Sequence, residues 1–239
     1  MTDITDIPLN IKQAIVNHAK EVWPEEACGF VVNGNIIKCH NSHPSPLSNF
    51  AISANDYANA ETTGKIEAVY HSHPDGLDGF SVCDVEACKQ INIPWILFHN
   101  KTNNFFYANP CGDAPYEGRQ WVYGIHDCYA ILRDFYIREF NIKLDDFTRG
   151  EELEWESDEW RMFERNYAKQ GFIEIDKPSQ KGDFLLMQLG APSPNHVGVL
   201  TGDGWSFYHH LSGRRSERSV YGGYWAKITT KILRHKDLL

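Results

Sequence analysis

No stretch of this 239-residue chain approaches the ~20 consecutive apolar residues that a membrane-spanning helix needs, which argues against a helical span. The opening residues Met1-Thr2-Asp3-Ile4-Thr5-Asp6 are acidic and lack the apolar run of a secretory leader, so no signal peptide is expected. Cysteine is sparse and unframed. The six residues Cys28, Cys39, Cys83, Cys88, Cys111 and Cys128 follow no disulfide spacing and suit a reducing compartment. Positive charge is in deficit: a net charge of −9 argues against nonspecific binding to nucleic acid. The C-terminal run of Arg214, Arg215, Arg218, Lys227, Lys231, Arg234, His235 and Lys236 is the local exception. It reads as a solvated face, with an acidic partner or an anionic wall polymer as the alternative. There is no internal repeat and no low-complexity run.

The length accommodates two domains of ordinary size. Asn109-Pro110-Cys111-Gly112-Asp113-Ala114-Pro115-Tyr116 has linker composition, and the boundary is placed near it, giving domains 1–113 and 114–239. In the second domain an acid-rich stretch from Glu151 to Glu159 leads into Trp160, Phe163 and Tyr167. These three form a helical stripe, ended by Gly171, that reads as core packing.

In the first domain the informative stretch is His71-Ser72-His73-Pro74, followed by Ser81 and Asp84. Side chains on a strand alternate, so a His-x-His pair turns both imidazoles to one face. Two His and one carboxylate suit Zn2+ and leave a fourth tetrahedral position open, as in catalytic rather than structural zinc sites. Hydrolysis at such a site also needs a base that is not a ligand. Glu26 offers one: Ala14 to Val22 looks helical, Pro24 stops it, Cys28 to Val32 looks like a buried strand, and Glu26 sits at that strand's mouth. His18, His40, His43 and His99 sit in no ligand spacing and read as surface or core residues.

Glu26, His71-x-His73-Pro74, Ser81 and Asp84 together resemble the JAMM metallopeptidases of the deubiquitinase type, over roughly residues 8 to 110. The resemblance implies that His71, His73 and Asp84 bind zinc. It implies that Glu26 moves a proton from water to the leaving amine, and that Ser81 hydrogen-bonds the water or the oxyanion.

The second domain carries a different pattern. After Asp127-Cys128, apolar residues at 131, 132, 135, 136 and 140 follow helical spacing. Asp127 reads as an N-cap, which puts Cys128 in the first turn, where the helix dipole favours the nucleophilic thiolate. A nucleophilic thiol needs a base and the base an orienting partner. Lys181 to Met187 and Asn195 to Thr201 read as strands, and Gly202-Asp203-Gly204 turns the chain into Trp205 to Leu211. His196 lies on one of these strands, and His209 and His210 lie on its neighbour.

This order resembles the papain-like cell-wall peptidases of the NlpC type, over roughly residues 117 to 235. The resemblance implies Cys128 as nucleophile, His196 as general base and acid, and a polar third member. His209 fits that place and His210 stays open, because the turn-to-His segment is one residue longer than the family pattern; neighbours on a strand face opposite ways, so only one can serve. Tyr123 is a candidate to line the site. The other five cysteines read as reduced thiols.

A metallopeptidase of this kind joined in this order to an NlpC-type peptidase resembles the tail tip assembly proteins of lambda-like phages. That resemblance implies other tail tip proteins and peptidoglycan stem peptides as partners. It implies action in the host cytoplasm during assembly, with the virion tail tip as a further location. Two other readings are a structural tail module with vestigial sites and a bacterial peptidase for ubiquitin-like proteins. The expected fold is α/β followed by α+β: a mixed sheet with flanking helices and zinc at one sheet end, then a Cys helix on an antiparallel sheet.

Overall fold

Ile11, Ile15 and Ala19 recur at four-residue spacing along Leu9–Glu21 (α1), and this stripe is buried against Val31, Ala68, Tyr70, Ile96 and Phe98. The computed structural model describes residues 7–147 and 161–239. It divides into two units, Met1–Gly112 and Asp113–Leu239. The helix starts at Leu9, earlier than the expected Ala14, because Pro8 is tolerated at a helix start and the apolar period begins at Ile11.

In the first unit Cys28–Val32 (β1) is buried throughout and turns back into Asn35–Cys39 (β2). Asn33 and Gly34 have φ of 51° and 69°, the positive values that a two-residue hairpin requires. Ala54–Thr63 (α2) follows, capped by Ser53, and then Ile66–His73 (β3). Val82–Ile91 (α3) crosses to Trp95–His99 (β4), and Phe105–Ala108 (β5) closes the sheet. The order is β2-β1-β3-β4-β5, and only the β3–β4 pairing is parallel. A parallel pair needs a crossover, which α3 supplies. The mixed sheet is as expected, and with three antiparallel pairings of four the architecture is α+β.

In the second unit Cys128–Phe140 (α4) buries Ile131, Leu132, Phe135 and Tyr136. Met162–Asn166 (α5) and Phe172–Glu174 (β6) come next. Then follow Phe184–Met187 (β7), His196–Leu200 (β8), Ser206–His209 (β9), Glu217–Val220 (β10), Gly223–Ile228 (α6) and Thr229–His235 (β11). The sheet runs β10-β9-β8-β7-β11-β6, antiparallel at every pairing. Alternation divides its two faces. Phe184, Leu186, Val197 and Val199 pack with α4, whereas Leu185, Met187, Leu200 and Phe207 pack with Tyr221, Trp225 and Ile228. Phe163 and Tyr167 join the α4 core as expected, while residues 151–159 and Trp160 lie outside the described residues. All six cysteines are free thiols.

Candidate active sites

On β3 the backbone alternates between two tasks. Ala68 and Tyr70 face α1, and Ser72 accepts the Ala27 N–H at 2.9 Å and so fixes the segment that carries Glu26. His71 and His73 face the other way, where His71 stacks on Phe50 at 4.6 Å and meets the edge of Trp95 at 5.5 Å. His73 donates Nδ1–H to the Leu77 carbonyl at 2.9 Å, which leaves its Nε2 with a lone pair. That atom lies 3.3 Å from His71 Nε2. Asp84 enters from the first turn of α3, with Oδ1 3.4 Å from His71 Nε2 and Oδ2 3.6 Å from His73 Nε2.

These separations test the fit of a metal. Bonds of about 2.0–2.1 Å in a tetrahedral site place neighbouring ligand atoms about 3.3–3.4 Å apart. The two imidazole nitrogens have that spacing, Asp84 turns one oxygen toward each of them, and one ligand atom from each of the three residues lies within 4.8 Å of the others, a buried metal-competent group. Glu26 Oε1 stands farther off, 4.0 Å from His73 Nε2. Burial pushes Glu26 up to about 7, with Asp84 adding to the rise and His73 opposing it. Burial also lowers His71, favouring its neutral form. Asp84 moves the other way: burial works to raise it, but the neighbouring imidazoles and the Ser81 hydroxyl outweigh that and hold it below the usual carboxylate range.

Ser81 is the N-cap of α3 in a reciprocal box with Asp84. Its oxygen accepts the Asp84 N–H at 3.2 Å, and its hydroxyl donates to Asp84 Oδ2 at 2.7 Å. The expectation put this hydroxyl on the water or oxyanion; in the structure its proton is directed at the candidate metal ligand. Helix capping takes precedence because the N3 residue is itself a carboxylate. No sequence signal marked the Leu77 carbonyl or the Phe50 ring, because both meet the histidines through the fold rather than through spacing.

The candidate residues of the second domain lie at the start of α4 and on β8 and β9. Asp127 caps α4 by accepting the Ala130 N–H at 2.8 Å and also accepts the Gly124 N–H at 2.9 Å, so Cys128 occupies the first helical residue. Cys128 is buried in the α4 core, and the partly buried Tyr123 packs against the same cluster from the turn before the helix. His196 opens β8, and its Nε2 lies 3.1 Å from His209 Nδ1 on β9. Trp225 covers this pair, with its ring 4.5 Å from His209 and 6.1 Å from His196. His210 follows β9, where its Nε2 bonds the Arg214 carbonyl at 3.0 Å and the charge of Asp127 acts on it. Of the two neighbours left open by the sequence, His209 is the one at hydrogen-bond distance from His196, while His210 bonds the Arg214 carbonyl. Burial lowers His196 to about 3 and His209 to about 4, so both rings are neutral near pH 7. Sequence reasoning missed Glu217 and Ser219, which reach His209 Nε2 at 3.3 and 3.1 Å. Their i, i+2 spacing was visible, but the pairing that sets Glu217 opposite His209 was not.

Residues 8–121 match the family of prokaryotic homologs of the JAB domain, and residues 118–234 match the NlpC/P60 family. NlpC/P60 is a cysteine peptidase family, and JAB-like domains are often peptidases. Tail tip assembly protein K of Escherichia phage N15 is 34% identical over 230 residues, covering 94% of each chain. Tail tip assembly protein K of Escherichia phage lambda is 32% identical over 186 residues, covering 77% of this chain and 89% of its own. Among the described residues no helix is long and apolar enough to cross a membrane. With a JAB-like region followed by an NlpC/P60 region along nearly its full length, this chain belongs to the tail tip assembly protein family.

Proposed function

We propose that this tail tip assembly protein carries two separate amide hydrolase sites, a zinc metallopeptidase in residues 1–113 and a cysteine peptidase in residues 114–239. The observation that carries the reading is the convergence of the His71 and His73 Nε2 atoms, 3.3 Å apart, with the two Asp84 oxygens 3.4 and 3.6 Å from them, and a carboxylate of raised affinity for protons just outside. Unprotonated Nε2 atoms so close together repel one another unless a proton or a cation lies between them. Zn2+ held there supplies Lewis-acid polarisation and acidifies water. Glu26 accepts the proton released when water adds to the substrate carbonyl, then delivers it to the amine as the carbon–nitrogen bond breaks. Ser81 holds Asp84 in position through its hydroxyl.

In the second site Cys128 is the nucleophile. His196 takes the thiol proton, sulfur adds to the carbonyl carbon, and His196 returns the proton to the departing amine. Water then adds to the thioester, His196 again moves the proton, and the acid and free thiol are released. His209 orients His196, and Tyr123 lines the approach. The substrate class is the peptidoglycan stem peptide, reached from the host side during assembly or from the tail tip of the virion. Other tail tip proteins are the assembly partners.

Metal content of the purified full chain tests the first site. Mass spectrometry is expected to find about one zinc per chain in the wild type and a large loss in His71→Ala and Asp84→Ala. Wild-type protein that takes up no zinc in chelator-free buffer would overturn the assignment.

A further inference from the structure

Behind the His196–His209 pair lies a carboxylate that the cysteine mechanism above does not use. Glu217 on β10 is paired directly with His209 on β9, and directly opposed residues of an antiparallel pair share a face. Glu217 Oε1 is 3.3 Å from His209 Nε2. Ser219, one alternation further along β10, places Oγ 3.1 Å from the same nitrogen and 3.1 Å from Glu217 Oε1. The opposite ring atom, His209 Nδ1, is the one that meets His196 Nε2 at 3.1 Å. A continuous line of polar atoms thus runs from a half-exposed carboxylate to the buried His196.

The protons along this line can be ordered favourably in only one direction. A neutral imidazole has a single N–H, and a carboxylate only accepts. Ser219 donates to Glu217, so its lone pairs and the carboxylate both confront His209 Nε2. That nitrogen is therefore the protonated one. His209 Nδ1 then accepts, and what it accepts is the Nε2–H of His196. The lone pair of His196 is left on Nδ1, the nitrogen outside this line and the one able to take a thiol proton. The reverse order sets the His209 Nε2 lone pair against a carboxylate oxygen at 3.3 Å and puts the His196 proton on Nδ1, where it blocks a base. We propose that Glu217 is a positioning residue of the cysteine site, acting through Ser219 and His209 to fix the His196 tautomer with Nδ1 as the base.

The inference rests on the reading of Cys128 and His196 as a peptidase, and its test separates the two. Long-range proton–nitrogen correlation spectra of histidine rings in the labelled full chain report which nitrogen carries the proton. Wild type is expected to show His196 protonated on Nε2. Glu217→Lys presents only donors to His209 and is expected to shift His196 toward the Nδ1–H form. Its kcat for stem-peptide cleavage should fall about 10- to 100-fold with KM nearly unchanged, within the ~10²–10⁴ that general-base catalysis supplies. Glu217→Gln keeps an accepting oxygen and is expected to stay within about threefold of wild type, as a second partner-preserving variant. A wild-type His196 protonated on Nδ1, or the same tautomer in wild type and Glu217→Lys, would overturn the proposal. Cys128→Ala isolates the underlying reading: if it still cleaves stem peptides, the peptidase assignment fails, while the ring spectra continue to decide the role of Glu217.

Discussion

Glu26 and Asp84 are both buried carboxylates beside His73, and the proposed reading gives them different work. Asp84 Oδ2 lies 3.6 Å from His73 Nε2 and is also held by Ser81, whereas Glu26 Oε1 lies 4.0 Å away. Removing a ligand and removing a base should therefore have different consequences. Zinc affinity, measured by competition with a chromogenic chelator, is expected to fall more than about tenfold in Asp84→Ala, since even outer-shell partners cost about 10- to 100-fold. Glu26→Gln should retain affinity within about threefold, on the same scale, because it stands outside the tetrahedral edge. An equal loss in both variants would mean that Glu26 is a ligand. At this scale the His71-x-His73 pair was legible, because strand alternation alone puts two imidazoles on one face. Which of His209 and His210 meets His196 was not, since it depends on how β9 pairs with β8.

The helix starts place two of the site groups, and local sequence explains them well. Ser81 with Asp84 and Ser53 with Asp56 are both Ser-x-x-Asp caps, and in each the Ser oxygen accepts the N–H of the Asp. Ser81→Ala and Ser53→Ala are each expected to cost about 1 kcal/mol in urea unfolding of the metal-free chain. Only Ser81→Ala should also weaken zinc binding, because only there does the capping carboxylate face the histidines. Matching zinc affinities in the two variants would remove Ser81 from the site. On β8, a methyl at Gly198 would meet Phe207 at 2.4 Å, beneath the ring that stacks on His209 at 4.7 Å. Gly198→Ala is expected to destabilise the second unit by about 1–3 kcal/mol and to displace His209. Unchanged stability would show that the aromatic layer has room to move. The capped helix starts were readable because capping is local; the register that sets Glu217 opposite His209 is not, since strand pairing joins distant segments.

For the whole molecule, the sequence divided the chain near residue 113, and the structure divides it between Gly112 and Asp113 into units with a core each. The buried histidines of the second unit couple its stability to pH. His196, His209 and His210 are lowered by burial to about 3, 4 and 4 from an ordinary 6.5. Their folded values lie below the unfolded value, so on acidification the unfolded chain binds protons first. Stability is therefore full above about pH 6.5 and falls progressively below it. The urea midpoint is expected to hold between about pH 8 and 7 and to drop between about pH 6.5 and 5, above the range where ordinary carboxylates titrate. A flat midpoint across that window would mean that the rings are solvated.

The most direct test of the central claim is mass spectrometry of the peptides released when the purified chain acts on peptidoglycan sacculi. Wild type is expected to release stem-peptide fragments. Cys128→Ala and His196→Ala should release none, and His71→Ala should release them as wild type does. Release that survives Cys128→Ala, or wild-type protein that releases nothing, would contradict the account of this chain as a tail protein with a working thiol peptidase.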